Sequence, residues 1–168
     1  YEVMPSLVGS EMCIRDRIPA VLGNGLTVVV SPLIALMRDQ VAGLEKLGVA
    51  AARYDSTLAE EDKASLMDRL KSGGVRLLFA APESLESPWI QRAMELVPPG
   101  LFVVDEAHCL SEWGHSFRPD YLGLPVFFRK HGFRSVMALT ATATERVCRD
   151  LAGLFGVSDE CIFRAAPY

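Results

Sequence analysis

Residues 101–108 read LFVVDEAH, four apolar residues followed directly by two carboxylates. An apolar run without alternation is typical of a strand that is buried on both faces, as in a parallel sheet. Comparable runs predict further strands at 26–31, 49–54, 75–80 and 135–139, and a short one near 161–164. We therefore expect a parallel sheet in which residues 101–104 form one strand.

Helical patterns separate the predicted strands. Helices are expected over about 32–46, 57–71, 87–97 and 144–155. The first carries an apolar stripe formed by Leu33, Leu36, Met37, Val41, Leu44 and Leu47. Thr57 and Glu60 form a capping box, while Ser87 and Thr144 are expected N-caps. Strands that alternate with helices in this way predict one α/β domain, with helices on both faces of a parallel sheet.

Polar segments fall where the predicted strands end. They are SPL at 31–33, APES at 81–84, DEAH at 105–108 and TATAT at 140–144. In an open parallel sheet the carboxyl ends of the strands share one edge, and ligands bind at that edge. Four separate motifs are therefore expected to converge on one crevice.

The acidic pair in DEAH has the residue types that phosphoryl transfer requires. Asp105 is predicted to hold Mg²⁺ through water, and Glu106 to polarise the water that attacks a γ-phosphate. The two must be adjacent because the metal and the nucleophile flank the same phosphoryl group. The alternative is an acidic turn that only closes the strand.

The segments SPL and TATAT each allow two interpretations. Ser31 and the first turn of the following helix can bind a phosphate of a nucleic-acid backbone. Alternatively, Ser31 is a simple N-cap with Pro32 at the first helical position. Thr144 is expected to cap its helix. Capping does not require Thr140 and Thr142, which are therefore expected to couple an ATP site to a second domain.

Residues 111–121, SEWGHSFRPDY, combine aromatic and polar side chains. Trp113, Phe117 and Tyr121 are predicted to form a stacking surface for bases, where each stack contributes about 1–3 kcal/mol. His115 and Arg118 stand between these aromatic residues. In the alternative interpretation, Trp113 and Phe117 pin the loop to the core.

Together, these motifs resemble the RecQ family of superfamily 2 DNA helicases. The matching segments are VVVSPLIALMRDQV, LLFAAPESL, VVDEAHCLSEWGHSFRPDY and MALTATAT, which correspond to motifs Ia, Ib, II and III of that family. The resemblance covers residues 18–168, and the segment after DEAH is its most specific part. It implies a RecA-like parallel sheet with helices on both faces, of the P-loop NTPase type and truncated at its N-terminus. The implied activity is ATP-dependent 3′ to 5′ DNA unwinding in recombination and repair.

The resemblance also implies roles for individual residues. Asp105 and Glu106 would serve Mg²⁺ and ATP hydrolysis, and His108 would couple hydrolysis to DNA. Roles in DNA binding or coupling carry over to Ser31, Pro32, Arg38, Pro82, Glu83, Trp113, His115, Phe117, Arg118, Thr140 and Thr142. The expected cofactors are ATP and Mg²⁺, and the expected partner is single-stranded or partly duplex DNA.

Two departures from the family pattern bear on activity. Ser84, in PESL, stands where the family more usually has an arginine. The phosphate loop G-x-x-x-x-G-K-[ST] is absent, and none of the four lysines follows a glycine. Without that loop and without the arginine finger of a second motor domain, this chain alone is expected not to turn over ATP appreciably. The alternatives are a superfamily 2 motor that acts on RNA and a non-catalytic single-strand-binding module.

Composition limits the class of protein further. The 17 basic and 21 acidic residues give a net charge of −4, so any contact with nucleic acid must be local. No run of 18 apolar residues occurs, and no membrane span is predicted. The four cysteines form no C-x-x-C pair, which fits a reducing compartment. We expect a bacterial cytoplasmic protein that associates with the nucleoid.

A metal site formed by His108, Cys109 and His115 is disfavoured. Neither a carboxylate nor a second cysteine completes a tetrahedral set around these three side chains. Free thiols are the expected state of the cysteines, at positions Cys13, Cys109, Cys148 and Cys161.

Residues 1–17 require a separate interpretation. LVGSE at 7–11 and MCIRDR at 12–17 resemble the contiguous, in-frame translation of a transposon adapter used in sequencing libraries. We expect residues 1–17 to be translated adapter and residues 18–168 to be part of a first RecA-like ATP-binding domain. The alternative is a genuine amphiphilic leader, although a processing segment would contain a continuous apolar stretch. An intact reading frame for these residues in the source gene would contradict the adapter interpretation.

Overall fold

The computed structural model describes residues 25–113, 116–142 and 144–158. Its strands are β1 (Leu26–Val30), β2 (Ala51–Tyr54), β3 (Leu77–Ala80), β4 (Pro99–Val104) and β5 (Ser135–Ala138). They form a parallel sheet in the order β2-β3-β1-β4-β5. The predicted parallel sheet is confirmed. The strand expected near 161–164 lies outside the described residues.

The helices are α1 (Ile34–Lys46), α2 (Glu60–Lys71), α3 (Pro88–Leu96), α4 (Leu124–Lys130) and α5 (Glu145–Phe155). Buried side chains of α1 pack on one face of the sheet, and those of the other four helices pack on the opposite face. Helices therefore cover both faces, as predicted. No helix in the described part of the chain is long and apolar enough to cross a membrane.

The sheet is buried at its centre. All five residues of β1 are buried, as are the last three residues of β4, which lead directly to the DEAH segment. Phe102 in β4 is fully buried, and its ring contacts the rings of Phe127, Phe128 and Phe133. This aromatic cluster holds α4 and the start of β5 against β4, and so supports the strand that delivers Asp105.

Helix α1 only partly follows the predicted apolar stripe. Met37, Val41 and Leu44 are buried, whereas Leu33, Leu36 and Leu47 are exposed. Leu33 is the N-cap and Leu47 the C-cap, so both lie at the margins of the helix. Leu36 is exposed within the first turn, so the buried stripe is narrower than predicted both at the margins of the helix and at its start.

Two of the predicted helix caps are confirmed and one is wrong. The side chains of Ser87 and Thr144 each accept a backbone N–H three residues on, at 3.3 Å. The capping box of Thr57 and Glu60 does not form, because α2 begins at Glu60 with Ala59 as its N-cap. The Thr57 hydroxyl instead donates to the buried carboxylate of Asp55.

Helix α4 was not predicted from the sequence. It is short, and it begins with a proline in its first turn, a position that proline favours. Gly132 follows its end with a φ of 67°, which is typical of a helix stop. Start and stop signals were therefore present, but seven residues are too few for a clear helical period.

Candidate functional site

The carboxyl ends of β1 and β4 bring Ser31 and Asp105 together. The backbone N–H of Asp105 donates to the carbonyl of Val30 at 2.9 Å, which continues the pairing of these strands. Ser31 Oγ donates to Asp105 Oδ2 at 3.0 Å, and the N–H of Glu106 donates to Asp105 Oδ1 at 2.9 Å. Each oxygen of this carboxylate therefore has a donor from the protein, which fixes the side chain at the edge of the sheet.

Ser31 is not the N-cap of α1. The helix begins at Ile34 with Leu33 as its N-cap, and no side-chain oxygen caps it. Ser31 is fully buried, and its hydroxyl is directed to Asp105. Pro32 precedes the helix by two residues, so it does not occupy the first helical position. The simple N-cap interpretation is wrong because the buried carboxylate takes the hydroxyl.

Asp105 is an ionisable group in a poorly solvated place. It is only 4% exposed. Burial raises the pKa of its carboxyl above the usual value near 3.8, and this outweighs the lowering effect of the Ser31 hydrogen bond. The folded protein therefore binds this proton more tightly than the unfolded chain does. An ionised Asp105 destabilises the fold at neutral pH.

We expect Asp105→Asn to raise the melting temperature at pH 7 in the absence of Mg²⁺. The amide oxygen can accept from the N–H of Glu106, and the amide NH₂ can donate to the Ser31 hydroxyl, so both contacts persist without a buried charge. The increase in melting temperature should be full at pH values above the folded-state pKa of Asp105. It should vanish as the pH falls to about 3.8, where wild-type Asp105 is also protonated. Thermal melts across this range measure it. Asp39→Asn, an exposed control on α1, should show no gain, and an equal gain there would contradict the explanation.

Glu106 has an unusual backbone conformation. Its φ of 49° and ψ of 43° are left-handed, and no other non-glycine residue among those described has a positive φ. Such a conformation is costly for a residue with a Cβ, and in folded proteins it clusters at functional sites. Ala107 N–H then donates to the Leu139 carbonyl at 2.8 Å, which ties this turn to the end of β5. The Glu106 side chain remains 31% exposed and can reach solvent.

His108 lies between Glu106 and the segment that follows β5. Its Nδ1 lies 3.2 Å from Glu106 Oε2 and 3.0 Å from Thr140 Oγ1. Thr140 Oγ1 also accepts the backbone N–H of Thr142 at 3.2 Å, while the Thr142 side chain is exposed. DEAH and TATAT therefore meet at this edge, as the sequence predicted, and Thr140 makes the side-chain contact between them.

The aromatic loop divides into exposed and buried residues. Trp113 is 57% exposed and Phe117 is 38% exposed, so neither pins the loop to the core. Tyr121 is fully buried, and its hydroxyl donates to the carbonyl of Asp105 at 3.2 Å. Burial raises the pKa of Tyr121, so the hydroxyl keeps the proton that it donates. The prediction that Tyr121 belongs to a stacking surface is therefore wrong. His115 lies outside the described residues.

The start of this loop contacts α5. Ser111 Oγ donates to Asp150 Oδ2 at 2.7 Å and accepts the backbone N–H of Trp113 at 3.3 Å. The guanidinium carbon of Arg146 lies 3.3 Å from the centroid of the Trp113 ring. Nothing in the sequence indicated the two contacts with α5, because they join residues more than 30 positions apart.

Other predicted residues lie around this edge without joining the cluster. Pro82 is buried and Glu83 is exposed, in the 3-10 turn Pro82–Ser84 after β3. Arg38 on α1 is exposed, and its Nη2 donates to Thr57 Oγ1 at 2.9 Å. Arg118 has an exposed side chain, and its backbone N–H donates to the Cys109 carbonyl at 3.0 Å.

His108 and Cys109, two members of the disfavoured metal site, are neighbours in the structure. His108 Nε2 and Cys109 Sγ are 3.8 Å apart, and the described residues contain no group of three metal-binding side chains. Burial raises the pKa of the Cys109 thiol, which disfavours the thiolate that a metal needs.

Comparison with known proteins agrees with the motifs. The sequence matches the family described as DEAD/DEAH box helicase over residues 11–151. The ATP-dependent DNA helicase RecQ of Bacillus subtilis (strain 168) is 40% identical over 159 residues, which cover 94% of this chain and 27% of that protein. The ATP-dependent DNA helicase Q5 of Mus musculus is 42% identical over 157 residues, which cover 90% of this chain and 16% of that protein. The chain thus spans about a quarter or less of the length of these two relatives.

Solved structures agree with the fold. A hypothetical ATP-dependent RNA helicase from Sulfolobus tokodaii has a TM-score of 0.62 at 16% identity, over 89% of this chain and 44% of that chain. The C-terminal domain of the DEAD-box protein Dbp5 has a TM-score of 0.60 at 10% identity, over 89% of this chain and 80% of that chain. These likenesses confirm the predicted RecA-like fold. With its DEAH edge and its RecQ relatives, the chain belongs to the DEAD/DEAH box helicase family, and its predicted kinship to RecQ helicases is confirmed.

Proposed function

We propose that this chain is part of the first motor domain of a RecQ-like helicase, which couples ATP hydrolysis to 3′ to 5′ DNA unwinding in recombination and repair. One observation carries the proposal. Glu106, His108 and Thr140 form a contiguous polar cluster, and an exposed aromatic loop begins three residues after His108. This arrangement supports a hydrolytic site that is joined to a nucleic-acid surface by a few residues of chain. Such a motor would work in the bacterial cytoplasm, at the nucleoid.

The residues at this edge fit a magnesium ion held largely through water. Mg²⁺ in nucleotide sites keeps several waters and uses one or two carboxylates together with phosphate oxygens. Asp105 supplies one such carboxylate, oriented by Ser31 and by the N–H of Glu106. When bound, Mg²⁺ would neutralise charge on the phosphates of ATP. Asp105 would hold it in place from the end of β4.

Glu106 is the residue best placed to act on water. Its carboxylate is partly exposed, next to the buried Asp105, and its left-handed backbone turns the chain sharply after β4. In the proposed reaction Glu106 takes a proton from the attacking water, as a general base. His108 contacts both this carboxylate and Thr140, so it can sense whether Glu106 faces a nucleotide. This is the coupling role that we assign to His108 and Thr140.

The exposed part of the loop provides the proposed DNA surface. Trp113 and Phe117 offer aromatic faces on which bases can stack, and Arg118 adds a positive charge between Phe117 and the buried part of the loop. The net charge of −4 agrees with recognition at one local surface rather than over the whole protein.

The full-length protein tests this function directly. With ATP and Mg²⁺ it should unwind a DNA duplex that carries a 3′ single-stranded tail. A 5′-tailed DNA duplex and a 3′-tailed RNA duplex of the same sequence should remain paired. Unwinding of RNA alone would place the protein with RNA motors, and DNA binding without ATP turnover would favour a non-catalytic module.

Replacing Trp113 by Ala should uncouple ATP hydrolysis from DNA. One lost base stack, at about 1–3 kcal/mol, corresponds to an increase of roughly 5- to 150-fold in the DNA concentration that half-maximally stimulates ATP hydrolysis. Phe117→Ala should act in the same direction. ATPase titrations with a single-stranded oligonucleotide measure both effects.

Leu47→Ala is a suitable control, since Leu47 is 73% exposed and lies at the far end of α1. It should leave DNA stimulation unchanged. A lower melting temperature with normal stimulation in Trp113→Ala would instead mean that Trp113 serves packing.

A further inference from the structure

Helix α5 contacts the aromatic loop at two points on one of its faces. Arg146 lies over the Trp113 ring, and Asp150 accepts a hydrogen bond from Ser111. Residues four apart are neighbours on a helix surface, so Arg146 and Asp150 are directed to the same side of α5. Ser111 and Trp113 are two residues apart and are themselves joined by a hydrogen bond. Two side chains of the helix thus hold the Trp113 ring and the Ser111 hydroxyl of one short segment.

The contact with Arg146 determines how Trp113 meets solvent. A guanidinium group 3.3 Å from the ring centroid covers one face of the indole. The side chain is nevertheless 57% exposed, so much of the rest of its surface is accessible. The accessible face is therefore the one opposite Arg146. Trp113 is held by a charged side chain from α5 rather than by burial in the core.

We propose that Arg146 and Asp150 are positioning residues that hold Trp113 with one face covered and the other open to a nucleic-acid base. The identity of this ligand rests on the proposed function. Fixing the ring before binding reduces the conformational entropy that is lost when a base stacks on it. Arg146 itself stays on the far side of the ring and does not contact the base.

A measurement without DNA tests the positioning by itself. The full-length protein is labelled with 5-fluorotryptophan, and the ¹⁹F resonance of Trp113 is assigned by its loss in Trp113→Phe. Arg146→Ala should shift this resonance and increase its solvent isotope effect, because both ring faces become accessible. Arg149→Ala removes the same charge from an exposed site on α5 and should leave the resonance unchanged. An unchanged resonance in Arg146→Ala would overturn the proposal.

Binding of a fluorescent single-stranded oligonucleotide tests the consequence. Arg146→Ala should weaken binding about two- to fivefold, the range expected for one exposed cation–π contact. In a Trp113→Ala background the same change should have no further effect. Asp150→Ala should also weaken binding, whereas Asp150→Asn, which can still accept from Ser111, should bind nearly as well as wild type.

Two outcomes of this titration would contradict the positioning role. Equal weakening by Arg146→Ala with and without Trp113 would identify Arg146 as a phosphate contact. Tighter binding in Arg146→Ala would mean that Arg146 competes with the base. If wild type binds no DNA, the proposed function fails, and the ¹⁹F measurement still decides whether α5 positions Trp113.

Discussion

Replacing Glu106 by Gln should lower ATP turnover by the full-length protein by about 10²- to 10⁴-fold, the usual contribution of a positioned general base. Glutamine preserves the size of the side chain and can still contact His108, but it cannot take a proton from water. Single-stranded DNA binding should be unchanged, because the aromatic loop does not depend on the charge of Glu106. Steady-state ATPase rates with and without DNA, together with an oligonucleotide titration, measure these effects.

Glu86→Gln is a matched control for that change, since Glu86 is an exposed carboxylate outside the DEAH segment. It should hydrolyse ATP at the wild-type rate. Turnover near wild type in Glu106→Gln would show that another group activates the water. If both DNA binding and ATP turnover were lost, the variant would be misfolded, and a thermal melt would reveal this.

The fold was predictable because its main signals are local. Five short apolar runs and the periodic helices between them required nothing beyond short windows of sequence, and the carboxyl-edge rule for parallel sheets then placed the motifs. The failures were also local in origin. At α4 the period was too short to recognise, and at Thr57 a capping pattern competed with a buried carboxylate, Asp55, for the same hydroxyl.

The site was predictable in its residue types but not in its contacts. Asp105, Glu106, His108 and Thr140 were all identified from motifs, and the structure places the last three in contact. The hydrogen bond from Ser31 to Asp105 spans 74 positions, and no local pattern encodes it. Tyr121 was misassigned for a related reason. An aromatic residue on a polar loop looks exposed in sequence, and only the fold shows that its ring enters the core.

The carboxyl edge combines two features that oppose stability. Asp105 carries a charge that is nearly excluded from solvent, and Glu106 adopts a left-handed backbone conformation. Strain of this kind persists only where the surrounding structure determines it. Here β4 is paired on both sides, to β1 and to β5, and its apolar residues are packed on both faces of the sheet. The stability of the core around β4 is therefore a condition for the geometry of the site.

The residue that should matter most for that stability is Phe102. Phe102→Ala is expected to lower the free energy of unfolding by about 3–5 kcal/mol, as for other large core aromatics. Its ring is fully buried among Phe127, Phe128 and Phe133, and a cavity there would separate β4 from α4. Urea denaturation of the chain, followed by circular dichroism, measures the loss.

Val126→Ala on α4 provides the comparison, because Val126 is 60% exposed. This replacement should change the free energy of unfolding by less than about 0.5 kcal/mol. Domains of this size are stable by only about 5–15 kcal/mol, so Phe102→Ala should also reduce the folded fraction at moderate temperature. Glu106→Gln should instead lose ATP turnover while its free energy of unfolding stays at the wild-type value. If Phe102→Ala cost less than about 1 kcal/mol, β4 would not depend on the aromatic cluster, and the rigidity of the DEAH turn would need another source.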